Sequence, residues 1–586
     1  MNRLSKILRL VPLAGGARAL ARFNVRCGWT QSMFGLLELC AVKRRERRAP
    51  LAAWVLAAGL IFTLQCMASS TNSNASAAVD FSKFRGVGLI DKLGPNWFPP
   101  GKYREGDFQF AKEVGFNFVR LPVDCRFLTK DEDRENFDEA KLAEMDQAIA
   151  WGKQYGQHVC LALFAVPGYS INSPNQNPSL WSDEKCQQTF ADYWKKLAGR
   201  YKNIPAAQLS FNLLNEPEWN VTEAQYAPVM RRAIDAIRSV DAQRPILVDG
   251  LKAGRAPVMS LAGLPGVGQA VHFYEPHSLT HFQAQWVPQT DYLAPPSQWP
   301  LPRLTHHLLG PKQGAHSPIK LRGPFPDGTR LEIVLGTICT APNSPVALAL
   351  TADGREVERH EIIPDESKPE WQQGKNVGDG LKEYPLDSPM TFHIPSGAEK
   401  IELKVSAGDR ATFRVIRLFA GSGTEAFAML RPTTTLWEPQ VSEVFYQAGK
   451  GFEIRGSYNR EWLNHAALGE WEPLLKRGVS VMVQEFGTHA KLPQSASLPY
   501  LEDCVRTWNG CSIGWALYSL RGDMGFVDSK RTDAAETSQL ADGSKVDADT
   551  VRMLKRNLPV RTAASGTINF NNASSVQAQA GSSQNP

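Results

Sequence analysis

Leu209-Ser-Phe-Asn-Leu-Leu-Asn215-Glu216-Pro217 is the stretch that decides the reading of this chain. It is mostly apolar and short, as a strand buried on both faces is, and it stops at a proline that cannot donate to a sheet ladder. A carboxylate placed just before that stop is delivered at the C-terminal tip of a strand, which is where a parallel barrel keeps its chemistry. The arrangement recurs in Val479-Ser-Val-Met-Val-Gln-Glu485-Phe-Gly487, with Glu485 near the end of a second buried run and a glycine opening the next loop.

Outward from these two runs, apolar strand-like segments alternate with helical periodicity from Phe81 onward, the mark of a parallel βα fold. Eight strands are expected at Phe84–Leu89, Phe116–Val123, His158–Ala165, Gln208–Leu214, Pro245–Asp249, Ala270–Tyr274, Val479–Phe486 and Ser512–Leu520. Amphipathic stretches at Asp138–Tyr155, Ser182–Tyr201 and Ala224–Val240 lie between them, with Ser182 and Thr222 read as N-caps. Eight such repeats predict an α/β fold, a closed (β/α)8 TIM barrel. About two hundred residues separate the sixth and seventh strands, far more than a barrel loop needs. Within them Arg330–Leu335, Val346–Leu350, Met390–Ile394, Lys400–Val405 and Thr412–Leu418 are short alternating runs between Gly, Pro, Asp and Asn turns, which predicts an inserted β-sandwich. The organisation read from the chain is a basic extension at 1–49, an apolar segment at 50–68 and a linker at 69–80. The barrel's first part comes next at 81–302, then the sandwich at 303–457, the barrel's second part at 458–561 and a Ser/Ala/Gln/Asn-rich disordered tail at 562–586.

The formal charge of +6 misleads, because residues 1–50 hold eleven Lys/Arg against two Glu. The chain beyond Pro50 is mildly acidic at about −3, which gives no support to a nucleic-acid role. The cluster Lys43–Arg48 abuts the apolar run Leu51–Leu64. That pattern reads as a signal peptide, with Ala75-Ser-Ala77 as a cleavage site, or as an uncleaved membrane anchor through residues 50–68. Either predicts a catalytic domain outside the cytoplasm, secreted or periplasmic. The nine cysteines show no Cys-x-x-Cys spacing; Cys504 and Cys511 are near enough for a bridge, and isolated buried thiols are the simpler reading. Neither a Gly-rich phosphate loop nor His-Glu-x-x-His is present in the sequence, so no cofactor and no metal are expected.

Two acids on two strand tips are the minimum apparatus for cleaving a glycosidic bond. They stand in an ordered series: Arg85-Gly-Val-Gly at strand one, Asn117-Phe-Val-Arg120-Leu-Pro at strand two, Asn215-Glu216-Pro217 at strand four, His272-Phe-Tyr274 at strand six and Glu485-Phe-Gly at strand seven. In this series the chain resembles glycoside hydrolase family 5, the cellulases and related β-glycanases, over Phe81–Pro300 and roughly Tyr458–Asn557. The resemblance implies Glu216 as general acid/base and Glu485 as nucleophile of a double displacement. It also implies Arg120 and Tyr274 as supports of Glu485, Asn215 as partner of the sugar 2-hydroxyl, and His272 as a wall of the cleft. The chain departs from the family pattern at Phe164, where a His is common, and at the end of strand eight, where Tyr518 stands in place of a sugar-stacking Trp; Trp515 is the other candidate there. Trp97, Tyr169, Trp219 and Trp286 fall beside loops at the barrel mouth and are expected to stack on sugar rings. The expected protein is a monomeric retaining endo-β-1,4-glucanase acting on a β-glucan. The alternatives are a β-mannanase or β-1,3-glucanase with the same pair, or a non-hydrolytic glycan-binding protein. The sandwich is expected to bind carbohydrate or extend the cleft, with a packing spacer as the other reading.

Overall fold

A computed structural model describes residues 79–558, apart from 95–100, 131–135, 174, 289 and 314–316. The basic extension, the apolar segment 50–68, most of the linker, the tail at 562–586 and Trp97 lie outside the described residues. Eight strands build the expected barrel: β1 Arg85–Gly88, β2 Phe118–Asp124, β3 His158–Val166, β4 Leu209–Asn212, β5 Ile246–Asp249, β6 Val267–His272, β7 Val481–Glu485 and β8 Gly514–Leu517. All run parallel in the order β2-β1-β8-β7-β6-β5-β4-β3, and β2 pairs with β3 to close the ring. Every residue of these strands is buried, because the outward side chains meet a helical layer and the inward ones meet each other. Phe118, Cys160, Leu247, Met482 and Ala516 of five strands form one small cluster with Phe81 of the turn before β1, and this fills the barrel interior.

The first helices are set by their caps. Helix α1 is Glu105–Val114, α2 Glu139–Gln154, α3 Glu184–Tyr201 and α4 Glu223–Arg238. Asp138 caps α2, and Thr222 forms a capping box with Gln225 on α4. The cap of α3 is Asp183, which accepts from the Cys186 N–H, one residue beyond the Ser182 expected from sequence. The strand–helix rhythm fails after β5. There the chain makes a tight turn, Leu251–Gly254, with Lys252 and Ala253 both left-handed, and then a 3-10 turn. Gly250, Gly254 and Pro257 deny that segment the uninterrupted run a helix requires.

The long connection after β6 folds as two stacked sheets around their own core. One sheet has six strands and the other seven, five of them along its main path, with Thr329–Thr340 and Arg410–Ala420 as its longest pair. Strands such as Arg355–Ile362 and Lys375–Gly378 are not evident in the sequence because they are exposed edges carrying no apolar alternation. The module is clasped where it leaves the barrel: Leu301–Pro302 pairs with Ser457–Tyr458, and the Arg303 N–H donates to the Gly456 carbonyl at 3.0 Å. Helix α5, Arg460–Leu468, then leads to β7; α6, Gln494–Gly510, and α7, Ala548–Asn557, complete the outer layer. Cys504 and Cys511 are not bridged to each other; both are thiols. Among the described residues no helix is long and apolar enough to cross a membrane.

Candidate active site

Glu485 is the last residue of β7, and its carboxylate is fixed from two sides. The buried Arg120, from the middle of β2, donates through Nη1 to Glu485 Oε1, and Tyr274 Oη donates to Oε2 at 3.0 Å. Arg120 uses its other terminal nitrogen on Asn215 Oδ1 at 2.8 Å and on Asn212 Oδ1 at 3.1 Å. One guanidinium therefore ties the tip of β7 to the end of β4 and the loop beyond it. Burial works to lower the Arg120 pKa, but the Glu485 and Asp249 carboxylates outweigh it and hold the group charged.

Glu216 does not sit on a strand. The ladder of β4 ends at Asn212, and four residues later Glu216 adopts φ 43°, a left-handed conformation that L-residues rarely take. Three bonds hold it there. Its N–H donates to Asp249 Oδ2 at 2.9 Å, its carbonyl accepts Tyr169 Oη at 2.5 Å, and the adjoining Pro217 carbonyl accepts the Ala253 N–H at 2.9 Å. The left-handed turn after β5 thus exists to reach under Glu216. Tyr169 is a buried brace and not a stacking platform at the mouth, which corrects the expectation from sequence.

His272 ends β6 and joins the acids. Its Nδ1 lies 2.9 Å from Glu216 Oε1 and 3.6 Å from Glu485 Oε2, and its Nε2 is 3.2 Å from Asp249 Oδ2, within ion-pair range but off the hydrogen-bond direction. Gly254 permits this approach, since a Cβ there would stand 2.8 Å from the His272 Cβ. Full burial pushes the imidazole down, yet Glu485, Asp249 and Glu216 together outweigh it and raise its pKa to about 9. One oxygen of Glu216, one of Glu485 and a ring nitrogen of His272 all lie within 4.8 Å of one another.

Of the residues expected at the site, the structure brings together Glu216, Glu485, Arg120, Asn215, His272 and Tyr274. Tyr518 stands just beyond β8, partly open, its ring edge-on to Tyr274 at 6.5 Å. Trp515 does not belong there: it is fully buried, donates to Asn509 Oδ1 at 3.1 Å and packs edge-on against Phe116 and Phe486, so no ligand can reach it. Phe164 is nearly buried at a bulge near the end of β3. Trp219 is 56% exposed in the loop after Glu216, with the Arg255 guanidinium 5.3 Å from its ring centre, and Trp286 is 38% exposed. Asp249 and Asn212 were missed by sequence reasoning. Asn212 Nδ2 donates to Asp249 Oδ1 at 2.7 Å, linking the ends of β4 and β5. The sequence does carry a signal for Asp249: a carboxylate closes the apolar run Ile246-Leu-Val and precedes a glycine.

Comparison with known proteins bears on this arrangement. A profile of the cellulases, glycosyl hydrolase family 5, matches residues 73–299. Endoglucanase C of Acetivibrio thermocellus is 29% identical over 185 residues, covering 31% of this chain and 53% of that protein. A probable glucan 1,3-beta-glucosidase A of Aspergillus fumigatus is 26% identical over 170 residues, covering 26% of this chain and 41% of its own. The chain thus spans about half the length of the curated relatives it matches, or less. Among solved structures, an endoglucanase of Thermotoga maritima aligns over 81% of this chain and 98% of its own, at 15% identity and a TM-score of 0.45.

Proposed function

We propose, on the match of residues 73–299 to glycoside hydrolase family 5, that this chain is a retaining endo-β-1,4-glucanase of that family, cleaving internal bonds of a β-glucan. The observation that carries the reading is that one oxygen of Glu216 and one of Glu485 lie within 4.8 Å of each other. Retaining cleavage uses carboxyl groups about 5–5.5 Å apart, whereas an inverting pair leaves about 6.5–9.5 Å for a water. Glu485, oriented by Arg120 and Tyr274, attacks the anomeric carbon as Glu216 gives its proton to the departing oxygen. Water then resolves the glycosyl–enzyme with Glu216 acting as base.

Charge counting supports that division of labour. Glu216, Glu485 and Asp249 supply three acids; Arg120 and protonated His272 supply two positive charges. The cluster is largely buried, so a surplus charge is costly, and it is neutral when one acid carries a proton. Glu216 is the most open of the three, its side chain 18% accessible, and is therefore the one placed to pass that proton to a ligand. Asn215 Nδ2, 3.4 Å from Glu216 Oε2, is available to a sugar hydroxyl between the two carboxylates.

Soluble β-1,4-glucan, β-1,3-glucan, mannan and xylan should be offered to native protein, Glu216→Gln and Glu485→Ala, with the first anomer monitored by NMR. The proposal expects the β-anomer first from β-1,4-glucan and loss of turnover in both variants. An α-anomer appearing first, or variants as active as native protein, would overturn it. Similarity to a glucan 1,3-beta-glucosidase makes β-1,3-linked glucan the second reading, decided in the same assay. The basic cluster and apolar run before residue 65 support a site of action beyond a membrane; fractionation of cells expressing the full chain tests it, and activity confined to the cytoplasm would refute it.

A further inference from the structure

The connection after β6, described at 277–288 and 290–296, runs against the inserted module and lines a partly open pocket of about 350 Å³. Small-molecule sites occupy about 300–1,000 Å³. Thr435, from the module, completes the wall. The module also holds this loop in place. The Ala294 N–H donates to the Pro432 carbonyl at 2.8 Å, Ser278 Oγ to the Thr433 carbonyl at 3.0 Å, and Arg431 Nη1 to the Asp291 carbonyl at 3.2 Å. Tyr292 Oη lies 2.8 Å from His306 Nδ1, with the two rings stacked.

One residue, Tyr274, stands between the cavity wall and Glu485. His281 lies edge-on to Tyr274 at 5.0 Å, and Tyr274 donates to Glu485. On the Glu216 side a second chain of contacts leads to the same place. Trp219 carries Arg255, Arg255 pairs with Glu275 at 3.2 Å, and Glu275 accepts the His277 N–H at 3.0 Å. These residues come from the loops after β4, β5 and β6, on the side of the pair where Glu216, the proposed acid, lies.

The lining selects a ligand class. His277 and His281 stack at 3.8 Å and present ring surface beside Phe282 and Val287. Gln283, Asp291 and Thr435 offer hydrogen bonds, and no Lys or Arg is among the lining residues. Burial lowers the pKa of both imidazoles, that of His281 to about 2, so neither recognises an anion at neutral pH. Gln283 is held at φ 55°, the kind of backbone strain that clusters at ligand-binding positions. Ring surface edged by an amide, a hydroxyl and a carboxylate, with no cation, matches the two sides of a pyranose.

We infer that this cavity is a sugar subsite, formed jointly by the loop after β6 and the inserted module, which takes an uncharged glucosyl unit on the leaving-group side of the bond being cut. The inference rests on the proposed hydrolase activity, and its test separates the two. Full-length native protein is compared with Thr435→Trp, which fills the cavity, and with a Gln283→Ala/Asp291→Ala double variant, which removes hydrogen bonds without adding bulk. Cellohexaose and an aryl β-cellobioside, whose leaving group is a single ring, are the substrates. The expected result is a loss of about ten-fold or more in kcat/KM on cellohexaose in both variants, with the aryl substrate cleaved at close to the native rate. Equal losses on both substrates, or no loss on either, would overturn the subsite. If Thr435→Trp does not fold, the double variant decides alone. Should native protein cleave neither substrate, the hydrolase reading fails. Calorimetric titration with cellohexaose then decides the subsite: affinity weakened in the double variant supports it, and unchanged or absent binding refutes it.

Discussion

Arg120 shows how much one side chain can be asked to hold. It is buried, it neutralises Glu485, and it orients Asn212 and Asn215 through a single guanidinium. Arg120→Met should reduce kcat more than a hundred-fold and lower unfolding free energy by about 3–5 kcal/mol, because Glu485 is left buried without its counter-charge. Urea unfolding and steady-state kinetics on one preparation read both. Trp219→Ala is the opposite case: loss of its exposed ring should raise KM for long oligosaccharides several-fold and leave the urea midpoint within experimental error of native. Residues at this scale were legible where a motif fixed their neighbours, as with Glu216, Glu485 and Arg120. Asn212 was not, since a polar residue inside an apolar run gives no hint of which distant groups it will meet, and Asp249 carried only the weaker signal of an acid closing an apolar run before a glycine. Trp515 and Tyr518 are three apart, and the side-chain period of a strand could not say where β8 would end.

At the scale of elements, Glu216 marks the point where β4 leaves its ladder and turns against its own preference. A left-handed conformation costs an L-residue about 1–2 kcal/mol, and glycine escapes that cost. Glu216→Gly should therefore unfold at a higher urea concentration than Glu216→Ala by an amount equivalent to about 1 kcal/mol, both variants being inactive. Equal midpoints would mean the strain is relieved elsewhere. The buried barrel strands and amphipathic helices were readable from hydrophobic periodicity. The missing helix after β5 was signalled by Gly250, Gly254 and Pro257, but its purpose, support of a loop from another strand, is a tertiary fact. The module's charged edge strands carried no periodic signal at all.

For the whole molecule, the ionic cluster links stability to pH. His272 in the folded protein titrates at about 9 against 6.5 for the free side chain. Its contribution is therefore complete below pH 6.5 and fades as the pH climbs through 9, by at most on the order of 3 kcal/mol. Native protein should lose urea resistance across that window, and His272→Asn should not. The clasp between Leu301–Pro302 and Ser457–Tyr458 carries a consequence for assembly during synthesis. Until β7 and β8 emerge, the first six strands form an unclosed sheet whose bare rims invite mispairing. A module that condenses early draws its two ends together, so the late strands arrive as if by a short tether instead of a long one, where each doubling of loop length adds about 0.6 kcal/mol. On that account the insert is also a built-in folding aid, and damage to its core would surface first as aggregation of the barrel.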